Sequence, residues 1–164
     1  GADLANGLGN LASRVLAKSA ANCDGVIPAA AWSGSALQTA AGQALDGYLS
    51  AMDRLDFSAA LGSAWSLVDV ANKFLVETEP WKLAKEGGHE ERIGEILLES
   101  AEALRILALL VTPVMPDAAQ RLWEDLGQEG RVADQRLPDA AAWGGLAPGT
   151  VTTKGESLFP RLDA

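Results

Sequence analysis

Between Glu90 and Thr112 the residues Ile93, Ile96, Leu97, Leu104, Leu107, Ala108 and Val111 recur at helical spacing, and the run becomes strongly apolar toward its end. Such a helix has to be covered on more than one side, so it belongs in the middle of a bundle. Pro113 and Pro116 mark where it stops. Near its start the acidic pairs Glu90/Glu91 and Glu95/Glu99 read as a charged face turned to solvent. His89 is the only histidine, and without a second one at metal spacing it reads as a solvated residue at a helix start.

The surrounding chain supplies the covering helices. From Asp3 to about Asn22, Leu4, Leu8, Leu11 and Val15 form one apolar stripe with Asp3 as cap, and the pattern stops at Asn22-Cys23-Asp24-Gly25. A loop with Pro28 and Trp32 leads to a second helix, from Leu37 to about Asp53. Asp56 caps a third, whose Phe57, Ala60, Leu61, Ala64, Trp65, Val68, Ala71 and Leu75 are expected to face the core. The few residues between them call for antiparallel neighbours. A shorter helix, anchored by Leu122 and Leu126, runs from Asp117 to Leu126. The fold class is therefore all-α: an antiparallel bundle of about five helices over residues 1–126. From Gly127 onward glycines and prolines interrupt every period, which predicts an irregular, partly extended tail over 127–164. Leu158 and Phe159 in that tail need a surface to cover them, either the bundle or another domain.

The helical pattern breaks at Thr78-Glu79-Pro80-Trp81-Lys82-Leu83-Ala84-Lys85. Pro80 pushes Glu79 out of the helical region and suits the first position of a new turn, which gives Trp81 a defined direction. Asp69, Asn72 and Lys73 lie close enough in sequence for a side-chain bond that steadies the turn. A Trp after a Pro is, taken alone, a packing residue. Asn10 and Arg14 stand one turn apart on one side of the first helix, about a quarter-turn from its apolar stripe. Alone, they are an exposed polar flank.

Composition narrows the function. The 164 residues, 48% of them hydrophobic, suffice for one good core. No run approaches the roughly 18 apolar residues of a membrane span and no signal-peptide pattern occurs, which points to a cytosolic compartment with no membrane partner. Cys23 is the single cysteine, so an intrachain disulfide and a thiolate metal cluster are both excluded, and a semi-buried place at a helix end is expected. The net charge of −9 argues against general phosphate-backbone binding, DNA included. Residues 1–24 are neutral overall and carry Arg14 and Lys18 on neighbouring turns, so any nucleic-acid contact has to be local. No phosphate-cradling loop, nucleophile elbow or histidine pair is present, and no catalytic residue is assigned.

Three groups of residues, in order along the chain, carry a family resemblance: Gly9-Asn10-Leu11-Ala12-Ser13-Arg14; Asp69-Val70-Ala71-Asn72-Lys73 followed by Glu79-Pro80-Trp81-Lys82-Leu83-Ala84-Lys85; and Trp143-Gly144-Gly145-Leu146 with Leu158-Phe159-Pro160-Arg161. Together they resemble the C-terminal anticodon-binding domain of the methionyl-tRNA synthetases. The resemblance implies a helical bundle that follows a catalytic domain and reads the CAU anticodon of methionine tRNA. It implies that Asn10 and Arg14 contact anticodon bases and that Trp81, set by Pro80, stacks on one; because each phosphate neutralised needs a cation, Lys18, Lys73, Lys82 and Lys85, with Arg14, are the candidate phosphate contacts. It implies no cofactor in this stretch, with ATP and Mg, and in some members zinc, in a parent whose catalytic domain is the other partner. The family's His-Ile-Gly-His and Lys-Met-Ser-Lys-Ser type signatures are not in this chain, which reads as an excised domain with Gly1-Ala2 as a cloning remnant. Two alternatives stand beside it: a non-catalytic protein-interaction module docking through Leu158 and Phe159, and the equivalent domain of another class I synthetase.

Overall fold

A computed structural model describes residues 2–30, 36–155 and 158–159, with side chains from residue 5 onward. Among them are six α-helices: α1 (Ala2–Cys23), α2 (Ala36–Asp53), α3 (Phe57–Thr78), α4 (Pro80–Glu86), α5 (Glu90–Val111) and α6 (Pro116–Asp125). Single 3₁₀ turns follow at Val132–Asp134 and Asp139–Ala141. The expected helices are present, and the short turn expected after Pro80 is the seven-residue α4. No helix is long and apolar enough to cross a membrane, among the described residues.

Long helices alternate in direction. Ala40 and Gln43 of α2 lie beside Ser66 and Val70 of α3, while Met52 lies beside Ala60 and Leu61, so the pair is antiparallel. Gly47 makes this crossing close, because a Cβ there would come within 2.6 Å of the Ser63 hydroxyl. Asp56 caps α3 as expected, its Oδ1 accepting from the Ala59 N–H at 3.1 Å. Helix α5 is the axis, with every residue from Ile96 to Val111 buried. Its neighbours α1, α2, α3 and α6 present leucines and alanines to it, and these form one continuous core.

The tail is the remaining cover. Leu146 is fully buried, and Val26 and Val151 form an isolated antiparallel bridge, flanked by Ile27 N–H to the Thr150 carbonyl at 2.8 Å and Thr152 N–H to the Gly25 carbonyl at 2.6 Å. Leu158 is buried too, and the Arg121 guanidinium donates to its carbonyl, so the leucine expected to seek a partner is already covered by the bundle.

Several expectations are corrected. Trp65 and Phe57 are exposed rather than in the core. The buried stripe of α3 is Ala60, Ala64, Leu67, Val68, Ala71 and Leu75, and its small alanines bring the neighbouring helices close while both rings stay at the flank. Glu99, assigned to a solvent face, is buried. On α5 it shares a face with Glu102, and the tail lies over that face, with the Gly144, Gly145 and Leu146 N–H groups on the Glu102 carboxylate. Asn72 does not steady the Pro80 turn: its Nδ2 donates to the Gly7 carbonyl at 3.1 Å and ties α3 to α1. Trp32, Pro160 and Arg161 lie outside the described residues.

Candidate nucleic-acid interface

The break between α3 and α4 is built around one residue. Glu79 closes α3 and opens α4 with φ 48° and ψ 57°, a left-handed conformation that few side chains adopt. Its N–H donates to the Leu75 carbonyl at 3.1 Å, and its own carbonyl accepts from Lys82 at 3.0 Å, so both helix ends are satisfied through the backbone. Thr78 adds a hydroxyl bond to the Phe74 carbonyl at 2.7 Å. Pro80 takes the first helical position, where a missing N–H costs nothing, and is itself buried. The chain thus turns with a buried anchor, and the next residue, Trp81, stands 40% exposed at the surface.

Trp81 and Pro80 line a cavity of about 530 Å³ together with Arg14 and Lys18 of α1, Leu75 and Val76 of α3, and Leu97 of α5. Its interior is apolar and its two cations come from neighbouring turns of one helix. Residues more than 60 positions apart in the chain therefore share one opening. Asn10, one turn before Arg14, is exposed on α1 but is not among the lining residues.

The other lysines stand apart from this opening. Lys73 pairs with Glu77 at 3.8 Å and Lys82 with Glu79 at 3.9 Å, both pairs largely exposed, so each is weak and readily exchanged for another anion. Lys85 is exposed in the last turn of α4. His89 is the cap residue of α5, its Nε2 3.1 Å from Glu86 Oε2. Cys23 is half-buried at the end of α1, where burial first and the neighbouring Asp24 second push its thiol pKa up; it is held as the thiol rather than as a reactive thiolate. No group of three metal-ligating side chains occurs among the described residues.

An apolar floor, an indole at the rim and two cations beside it suit a flat aromatic group that carries negative charge nearby, which describes an unpaired base with its phosphates. A second cavity, of about 180 Å³, opens on the other flank of α1 and is lined by Ser13, Asp125 and Lys154 among others. Nothing in the sequence alone pointed to it, because its walls come from three segments that only the folded tail brings together.

Comparisons with known proteins agree on one family. The family model described as the anticodon binding domain of methionyl tRNA ligase matches residues 27–164. The methionine–tRNA ligase of Streptomyces coelicolor is 43% identical over 98% of this chain, and that of Enterococcus faecalis is 37% identical over 98%. The chain spans only 32% and 24% of the length of these two relatives. Among solved structures, free-state Mycobacterium tuberculosis methionyl-tRNA synthetase superposes with a TM-score of 0.79 at 35% identity, covering 99% of this chain and 33% of that one. The same enzyme in complex with methionyl-adenylate gives 0.77 at 34% identity, covering 97% and 31%.

Proposed function

The chain belongs to the family of methionyl-tRNA ligase anticodon-binding domains, and from that premise we propose that it reads the CAU anticodon of methionine tRNA for an ATP-dependent methionine–tRNA ligase. The observation that carries the reading is the shared opening of Trp81, Arg14 and Lys18. An anticodon loop presents unpaired bases with free Watson–Crick edges and free π faces. Trp81 supplies the platform on which one base stacks, worth on the order of 1–3 kcal/mol. Arg14 offers a planar set of donors to a base edge or phosphate, and Asn10 offers an amide that both donates and accepts. Lys18 holds a phosphate beside the stacked base, while Lys73, Lys82 and Lys85 attract the loop from outside the cavity. Pro80 keeps the indole at the surface.

In this reading residues 1–126 form the reading bundle and 127–164 the tail that closes it. Methionine activation, with ATP, Mg and in some members zinc, belongs to a cytoplasmic parent's catalytic domain, which is the second partner.

Binding of a labelled CAU anticodon stem-loop tests the proposal. Trp81→Ala and Asn10→Ala should each weaken binding while the circular dichroism of the helices stays as it was. Unchanged affinity in both variants would sink the residue assignment.

A further inference from the structure

The second cavity lies across α1 from the first. Gly9, Ser13 and Leu16 form its α1 side, Asp125 at the end of α6 forms its floor, and Lys154 and Gly155 of the tail close it. At about 100° per residue, Ser13 projects between the direction of Gly9 and that of Asn10 and Arg14. The ridge Asn10–Ser13 therefore separates the two cavities. A helix with its side chains is only about 10–12 Å across, so a few unpaired nucleotides reach from one flank to the other.

The walls are held by specific contacts. The Thr153 N–H donates to the Asp125 carbonyl at 2.8 Å, and Arg121 holds the Leu158 carbonyl. Phe159 packs on Gly9, where a Cβ would sit 3.3 Å from the ring. Gly155 keeps the tail close to the Asp125 carboxylate, since a Cβ there would approach Oδ1 to 3.0 Å. Lys154 stays exposed at the mouth.

We propose that this cavity is a second nucleotide subsite of the same interface, with the Lys154 ammonium on a phosphate and the Ser13 hydroxyl and Asp125 carboxylate on the edge of an unpaired base. The inference rests on the anticodon-reading function and extends it to the tail. A carboxylate is an acceptor only, so the subsite favours a base that offers an exocyclic amine, as adenine and cytosine do, over uracil. Asp125 is partly desolvated, which raises its pKa, and an amine donor would restore a partner that burial removes. Lys154 offsets the charge that Asp125 would otherwise oppose to a phosphate.

Fluorescence anisotropy with labelled stem-loops tests this, using CAU and the two variants in which C or A is replaced by U. Lys154→Glu should weaken all three RNAs by on the order of threefold to tenfold at low salt. Asp125→Asn should narrow the penalty for a U replacement at one anticodon position and leave the other as it was. Ser13→Ala, at an exposed position, should do the same to a smaller extent, and it serves if Asp125→Asn disturbs the tail. If Trp81→Ala weakens CAU binding but Lys154→Glu does not, or the penalties stay unchanged in both Asp125→Asn and Ser13→Ala, the second subsite is overturned and the anticodon reading stands. If the unaltered chain shows no preference for CAU, both fall together.

Discussion

Glu102 and Arg105 stand one turn apart on α5 and close a two-pronged ion pair inside the protein, with Nε 2.6 Å from Oε1 and Nη2 2.9 Å from Oε2. Two charges in the interior are tolerable only when their remaining bonding capacity is used as well. Here it is. Glu102 also accepts the N–H groups of Gly144, Gly145 and Leu146 at 2.7, 3.0 and 3.2 Å, and Arg105 donates to the carbonyls of Ala140 and Ala142 at 2.6 and 3.0 Å. The pair thereby fastens the tail to the central helix.

Glu102→Ala should therefore cost more than a surface pair would. It leaves a buried guanidinium and three backbone donors without their acceptor, and removing one partner of a buried pair costs about 3–5 kcal/mol. Urea unfolding should show that loss. Hydrogen exchange should rise at residues 144–146 before it rises in α5. A loss below about 1 kcal/mol would mean that solvent reaches the pair.

Gly145→Ala tests the same junction from the other side. A Cβ at Gly145 would fall inside contact distance of the Arg105 guanidinium, whose bonds to Glu102, Ala140 and Ala142 leave it little freedom to move. The expected loss is about 1–3 kcal/mol, as for an overpacked core. Gly130→Ala is a poor control because its φ of 74° adds strain, whereas Gly62→Ala, in open space on α3, should be neutral or stabilising. Thermal midpoints of the two variants should move in opposite directions or differ clearly in size.

Asp125 gives a pH dependence whose sign follows from its surroundings. Burial is the main cause that raises its pKa, Glu124 adds to it, and Arg121 opposes both. A carboxyl with a folded pKa above its unfolded value binds its proton more tightly when folded. The resulting stability is fully present below the unfolded value, about 3.8, and is lost as pH rises through the folded pKa. At neutral pH the ionised group is therefore a cost. Asp125→Asn should raise the thermal midpoint at pH 7, and the gain should shrink toward pH 4. A gain that grows in acid would contradict the assignment.

How far the sequence could be read depends on where each contact comes from. The helix over Glu90 to Thr112, the Asp56 cap and the Pro80 break are local, decided by spacing, capping chemistry and a missing N–H, and they were legible. The role of Glu102 was not, because its cover comes from glycines more than 40 residues later that carry no periodicity. Trp65 misled because size suggests the core, whereas close helix crossings select Ala60, Ala64 and Ala71 and leave the large ring outside. Of the proposed site, Trp81 and Arg14 could be named through the family resemblance alone. Their common cavity depends on α1 and α3 running in the same sense, with Asn72 bonded to Gly7, which no spacing rule supplies.

The net charge of −9 makes salt dependence a sharp test of the proposed interface. Binding single-stranded RNA releases counterions in proportion to the phosphates neutralised, with a slope of about −0.7 per contact in log K against log salt. Lys18 lines the Trp81 cavity, whereas Lys73 is engaged with Glu77 on the exposed side of α3. Lys18→Ala should therefore reduce the magnitude of the slope by about 0.7 and weaken binding of every anticodon variant alike, since a phosphate contact carries no sequence information. Lys73→Ala should change the slope by much less. Stem-loop titrations between low and physiological salt measure both. Equal slopes for Lys18→Ala and the unaltered chain would move the RNA backbone off this flank of α1, and with it the phosphate path proposed between Trp81 and the tail.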